Sequence, residues 1–124
     1  MRVLVDTSIW IDHFRRGDRQ LAGFLDHGDV VMHPFVIGEL MLGHVPKIAD
    51  MMGDLNTLPK AIVATTDEVL QFISDRKLPG SGIGYVDAHL LAATALTPET
   101  LLWTRDKRAL AAAQALSLAA GIAE

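Results

Sequence analysis

The chain has no cysteine in its 124 residues. Disulfides, thiolate zinc sites and a cysteine nucleophile are excluded together, and the composition suits a reducing compartment. Long apolar runs are also missing. The longest uncharged stretch, residues 109–123, is rich in alanine, contains Gln114 and Ser117, and falls short of the roughly 18 apolar residues of a membrane span. Asp6 interrupts the first apolar run at once, so the start does not read as a signal peptide. A soluble, cytoplasmic protein with no membrane association is expected. A surplus of basic residues is the third absence: 11 lysines and arginines face 15 acids, a formal charge of −4. Nucleic-acid binders usually carry a basic face. Setting aside four acids that the chemistry below assigns to one site leaves the rest neutral, and divalent cations held there would cancel repulsion of phosphate.

Half of the residues are hydrophobic and the mean hydropathy is +0.28, enough for one compact domain over residues 1–124. The organising stretch is RVLVDTS at residues 2–8. Val3, Leu4 and Val5 form an unbroken aliphatic run of the kind found in strands buried on both faces of a parallel sheet. Asp6 follows at the carboxyl end, where α/β sheets open their ligand crevice. It reads equally as an N-cap or turn residue, with Thr7 and Ser8 also able to cap the helix that follows.

That helix begins with IWIDHF and uses Ile9, Trp10 and Phe14 on its buried side, before a charged break at residues 15–19. Three arginines near one loop can touch a phosphate backbone or simply solvate a turn. A second helix spans 20–27 with Leu21, Phe24 and Leu25 inward, closed by Gly28. Val30, Val31 and Met32 make the second strand, and His33-Pro34 opens a helix along FVIGELMLGH in which Val36, Ile37, Leu40 and Met41 recur at helical spacing. Glu39 is its one charge and either faces solvent or leans over the sheet edge toward Asp6; Gly38 beside it would permit close backbone approach.

Another helix is expected over 46–58, and a third strand over 61–64. Thr66 then reads as the N-cap of a helix with Asp67 and Glu68 at its positive end and Arg76 and Lys77 at its negative end. The loop LPGSGIG, 78–84, lacks the Gly-Lys-Ser/Thr of a P-loop. The helix after it, 85–96, has Val86, Leu90, Leu91 and Thr94 inward and Asp87 in its first turn, favoured there by the dipole and also placed as a metal ligand. His89, two residues on, points to another side, as a local packing or substrate-side residue. Leu101, Leu102 and Trp103 form the fourth strand, with Thr104, Arg105 and Asp106 at its exit, repeating the layout at Asp6. Lys107 and Arg108 begin an Ala-rich helix, and 116–119 offers a short fifth strand.

Strands alternating with helices predict a three-layer α/β/α sandwich around a parallel sheet of four to five strands. Asp6 and Asp106 then leave the same sheet edge, and Glu39 and Asp87 can enter from helices that start there. Four carboxylates in that space repel, each pair by about 4 kcal/mol at roughly 4 Å and an effective dielectric near 20. All-oxygen donors without cysteine point to Mg²⁺ or Mn²⁺ rather than zinc. Such ions orient and acidify water and stabilise charge on phosphodiester oxygens.

VLVDTS, the single glutamate in FVIGEL, GYVDAHLLAAT and WTRDKR resemble, in order and spacing, the four acidic blocks of PIN domains, most closely the small VapC-type ribonuclease toxins of type II toxin–antitoxin pairs. The resemblance implies metal-dependent endonucleolytic cleavage of RNA, with Asp6, Glu39, Asp87 and Asp106 gathering one or two Mg²⁺ or Mn²⁺ ions. It places Thr7, Ser8 and Thr104 at hydroxyl positions that support the acids. It also implies homodimers and inhibition by a VapB-type antitoxin. Arg105, Lys107 and Arg108 can steer RNA to the site, Lys107 and Arg108 being equally readable as solvated first-turn residues. A haloacid-dehalogenase-type phosphatase would need a second acid where Ser8 stands. A response-regulator receiver would need paired acids at the first strand and a late lysine that are missing. A PIN-like module that only binds a partner is the remaining rival.

Overall fold

The computed structural model describes residues 1–122; the last two positions of the expected 1–124 unit lie outside the described residues. β1 (Arg2–Val5) leads into α1 (Thr7–Arg16) and α2 (Arg19–Asp26). β2 (Val30–Val31) is followed by α3 (Pro34–Leu42), α4 (Ile48–Asn56), α5 (Thr66–Asp75) and α6 (Tyr85–Leu96). β3 (Thr100–Trp103) and α7 (Lys107–Ala115) complete the order.

The three strands are parallel in the order β2-β1-β3, with Val3 level with Val30 on one side and Leu101 on the other. Val3, Leu4 and Val5 are each 0% exposed. Because successive strand side chains point to opposite faces, this means helices cover both faces, the expected α/β/α arrangement. The chain leaving β1 crosses to β2 on one side, and the later elements return as β3 on the other. Such a reversal of strand order opens a crevice at the carboxyl end of the central strand. Asp6 is the first residue beyond that end.

The expected four to five strands reduce to three among the described residues. Just before 61–64 the chain makes a single isolated bridge beyond the end of β2, Met32 with Lys60. Met32 N–H donates to Pro59 O at 2.7 Å and Ala61 N–H to Met32 O at 2.9 Å. The next amide, Ile62, donates instead to Thr97 Oγ1 at 2.9 Å. That bond draws the chain off the ladder, and Ile62 and Val63 are left exposed rather than buried in a sheet. At 116–119 the contact is also one bridge, Leu102 with Ala119, entered through a left-handed Ser117.

Some local features differ from those the sequence predicts. Thr65, not Thr66, caps α5: its side chain accepts from Glu68 N while Glu68 returns a bond to Thr65 N, a capping box. α4 starts two residues later than position 46, from a left-handed Lys47 without a side-chain cap. No close backbone approach exists at Gly38, where an added Cβ would meet nothing within 4 Å. α6 is the central helix, buried continuously from Ala88 to Thr94, as a helix apolar all round should be. Among the described residues no helix is long and apolar enough to cross a membrane.

Candidate active site

The site is built first from the exits of β1 and β3. Asp6 N–H donates to Trp103 O at 2.9 Å, which ties the two strand ends together. Thr104, buried at the β3 exit, donates its hydroxyl to Asp6 Oδ2 at 2.7 Å, and accepts from Asp106 N at 3.2 Å. Asp6 Oδ1 accepts from Thr7 N at 2.8 Å, making Asp6 the N-cap of α1. Each carboxylate oxygen thus has one protein donor and keeps lone-pair capacity for another partner. The capping reading and the site reading of Asp6 are compatible in one geometry.

Thr7 carries the network outward. Its hydroxyl donates to Glu39 Oε1 at 2.8 Å, drawing the α3 glutamate over the β1 exit instead of into solvent. Asp106 caps α7 through Oδ1, which accepts from Ala109 N at 2.9 Å. Asp87 sits in the first turn of α6, where Gly84 N–H donates to its Oδ2 at 3.3 Å. The aspartates therefore stand at three helix N-termini, whose dipoles favour negative charge. Ser8 is exposed and makes no side-chain hydrogen bond among the described residues.

Burial raises the Asp87 pKa above its ordinary value, and the charges of Asp6, Asp106 and Glu39 raise it further, against the Gly84 N–H that lowers it. All four candidate acids thus share one electrostatic neighbourhood. Among the described residues none of them is in a salt bridge. Nor do three acidic or histidine side chains close around one point as a preformed ion cage. The donor set is nevertheless what a hard divalent cation takes: anionic oxygens, unpaired by protein cations and without sulfur or imidazole.

Arg105 is held inside the fold. Its guanidinium reaches Asp12 of α1 at 2.9 Å and Asp18, the N-cap of α2, at 2.7 Å, and lies over the Trp103 ring. Burial alone would raise the Asp18 pKa, but the Leu21 N–H bond and Arg105 together lower it. Neither acid was singled out from the sequence, although Asp18 before a helical run is an N-cap signal. Because Arg105 lies between Thr104 and Asp106, the clamp fixes the segment that orients Asp6. Arg105→Ala should destabilise the protein by about 2 kcal/mol, the scale of hydrogen bonds to charged groups. It should also lower activity more than Lys107→Ala, as urea denaturation and turnover will check. Lys107 and Arg108 are exposed at the start of α7. Arg108 folds across Gly82, where φ is +83° and a Cβ would lie 3.0 Å from its side chain, and it donates to Gly82 O at 3.4 Å. This links α7 to the loop that leads into Asp87.

His89 packs inward rather than facing the acids. Its ring lies 4.5 Å from Phe35 and 4.7 Å from Tyr85, and it is 5% exposed. His33, read from the sequence only as the opening of a helix, is fully buried and caps α3 by accepting Phe35 N–H on Nδ1 at 3.0 Å. Among the described residues His33 Nε2 and His89 Nδ1 have no hydrogen-bond partner.

A PIN domain profile matches residues 3–115. The chain is 44% identical over 113 residues to "Ribonuclease VapC32" of Mycobacterium tuberculosis, in both strain CDC 1551 / Oshkosh and strain ATCC 25618 / H37Rv, covering 89% of this chain and 89% of each relative. With the strand-exit acids, the α/β/α layering and this similarity over nearly the whole length, the chain belongs to the PIN domain family.

Proposed function

We propose that the chain is one catalytic unit, a VapC-type endoribonuclease acting as the toxin of a type II toxin–antitoxin pair and hydrolysing RNA phosphodiester bonds. The observation that carries the reading is the gathering of Asp6, Glu39, Asp87 and Asp106, where burial first and the other three charges next raise the Asp87 pKa, and where none of the four is in a salt bridge among the described residues. Similarity to a protein named a ribonuclease supports RNA as the substrate.

In this proposal the four acids hold one or two Mg²⁺ or Mn²⁺ ions. When bound, such ions supply positive charge that acidifies a water nucleophile and offsets charge on the phosphoryl oxygens. The chain's own part is pre-organisation. Thr104 and the Thr7 amide fix both oxygens of Asp6, the Thr7 hydroxyl fixes Glu39, and the α7 cap fixes one oxygen of Asp106 while leaving the other open. Asp87, its pKa raised by burial first and then by the neighbouring acids, stands where a bound cation would relieve the crowding of charge. Lys107 and Arg108 meet the incoming phosphates, and Arg105 holds the β3 exit in register. A cytoplasmic setting, a VapB-type antitoxin and a homodimer complete the reading; they rest on the family.

Controlled expression in a bacterial host tests the biological half. The unsubstituted chain should arrest growth and fragment cellular RNA, and Asp6→Asn, nearly isosteric, should do neither at equal soluble yield. Growth arrest that persists in Asp6→Asn would point to a module acting by binding alone.

A further inference from the structure

The chain between α5 and α6 is rich in glycine where it leads into Asp87. Pro79, Gly80, Ser81 and Gly82 are exposed, and Gly80 and Gly82 are left-handed at φ +81° and +83°. Glycine makes such a turn without steric cost and leaves the segment much freedom to lose. Few bonds restrain it: Ser81 N–H donates to Leu78 O at 2.9 Å, and Ile83 N–H to Ser81 Oγ at 3.4 Å. Ile83 is half-buried against the core and holds one side of the loop. Among the described residues, the one hydrogen bond that reaches residues 79–83 from another element comes from α7, where Arg108 Nη1 donates to Gly82 O at 3.4 Å.

Arg108 also occupies the space in which a side chain at position 82 would stand. An added Cβ would lie 3.0 Å from its Cδ and Nη1 and 3.3 Å from its Cζ, so the stem of an exposed arginine is packed on a bare peptide. Two residues further on, Gly84 is the N-cap of α6. Its N–H donates to Asp87 Oδ2 at 3.3 Å and its carbonyl accepts from Ala88 N at 3.1 Å. Contacts therefore run from Arg108 through residues 82–84 to a carboxylate oxygen of Asp87. Asp106, the N-cap of the helix that carries Arg108, is one of the charges that Asp87 meets. One helix start thus supplies an acid of the site and a brace for another.

We propose that Arg108 is a positioning residue for Asp87: it pins the Gly82 peptide, and through it the Gly84 amide that holds Asp87 Oδ2, so that this carboxylate keeps one orientation before RNA arrives. The inference rests on the reading of the four acids as cation ligands. Only part of the guanidinium's donor capacity is used on Gly82 O, and the rest remains for a phosphate. A brace and a phosphate contact differ in sign when RNA is absent. On charge alone, losing a cation from the helix start that carries Asp106 tightens the binding of a divalent cation. Losing a brace weakens it, because groups that orient a metal ligand contribute to metal affinity.

The test titrates Mg²⁺ alone, by isothermal calorimetry and without RNA, into the full chain, Arg108→Ala, Gly82→Ala and the double variant. Arg108→Ala should weaken Mg²⁺ binding about fivefold or more, the scale of one hydrogen bond lost. Its melting temperature in EDTA should stay that of the parent, as for most exposed substitutions. Gly82→Ala keeps every charge and displaces Arg108 with its Cβ, so it should weaken Mg²⁺ binding as well. The two losses should not add in the double variant, since both break one contact. Mg²⁺ binding that is unchanged or tighter in Arg108→Ala, or losses that add, overturns the brace, while cleavage of RNA by the unsubstituted chain leaves the nuclease reading standing. If the unsubstituted chain neither binds Mg²⁺ nor cuts RNA, the cation reading falls and the brace falls with it.

Discussion

Asp87→Asn should raise the melting temperature of the cation-free protein while lowering RNA cleavage by about a hundredfold or more, the scale on which removing one electrostatic element of a catalytic site is felt. The two effects have a common cause. The site disfavours the charge of Asp87, through burial first and then through Asp6, Asp106 and Glu39. An amide of nearly the same shape removes that repulsion. The pH dependence follows with its sign. A carboxyl whose folded pKa lies above the ordinary value contributes full stability below that value and loses it as pH rises toward the folded pKa. The variant should lack this loss. Added Mg²⁺ should reverse the ranking, since a ligand that binds only the folded state stabilises by mass action and the variant has one fewer anionic donor. Thermal melts with EDTA and with Mg²⁺ check both halves; a destabilised, cation-free Asp87→Asn would contradict the crowded-acid account.

Mild acid should destabilise the fold through His33. Burial first, and the charge of His89 beside it second, together lower its pKa from 6.5 to about 4. The bonding agrees: Nδ1 must stay unprotonated to accept Phe35 N–H and cap α3, and Nε2 has no hydrogen-bond partner among the described residues. A group whose folded pKa is depressed in this way is fully compatible with folding above pH 6.5. It withdraws stability as pH falls from there toward about 4, to a total of about 3 kcal/mol by linkage. His33→Asn keeps a capping acceptor and removes the titration. Urea unfolding at pH 7 and pH 4.5 should show the parent losing about 2 kcal/mol more than the variant. Parallel losses would place the acid sensitivity elsewhere.

What was legible in the sequence follows physical lines. Buried strands show as unbroken aliphatic runs, and β1 and β3 were found because Val3, Leu4, Val5, Leu102 and Trp103 have nowhere to go but inward. The acids at their exits could be paired by the repeated pattern of strand, hydroxyl and aspartate, and Thr104 does hold Asp6. The run at 61–64 misled because a short apolar run does not reveal whether the chain pairs or merely passes by; here one hydroxyl, Thr97, decides it. The capping box at Thr65 was readable from Glu68 three residues on, and was missed by one position. The Arg105 clamp was not readable. Its partners lie 93 and 87 residues away in the chain, and their charges look like a solvated turn until the fold brings them together. The packing of Phe35 on His89 is hidden for the same reason, since it joins α3 to α6.

The most direct measurement is cleavage of total bacterial RNA by the purified chain with Mg²⁺ or Mn²⁺, alongside EDTA, Asp6→Asn and Asp87→Asn, with the cut ends mapped. Discrete cuts that need the cation and disappear in both variants are the predicted result. Cuts that survive EDTA or either substitution would contradict the claim that the four acids form the active centre.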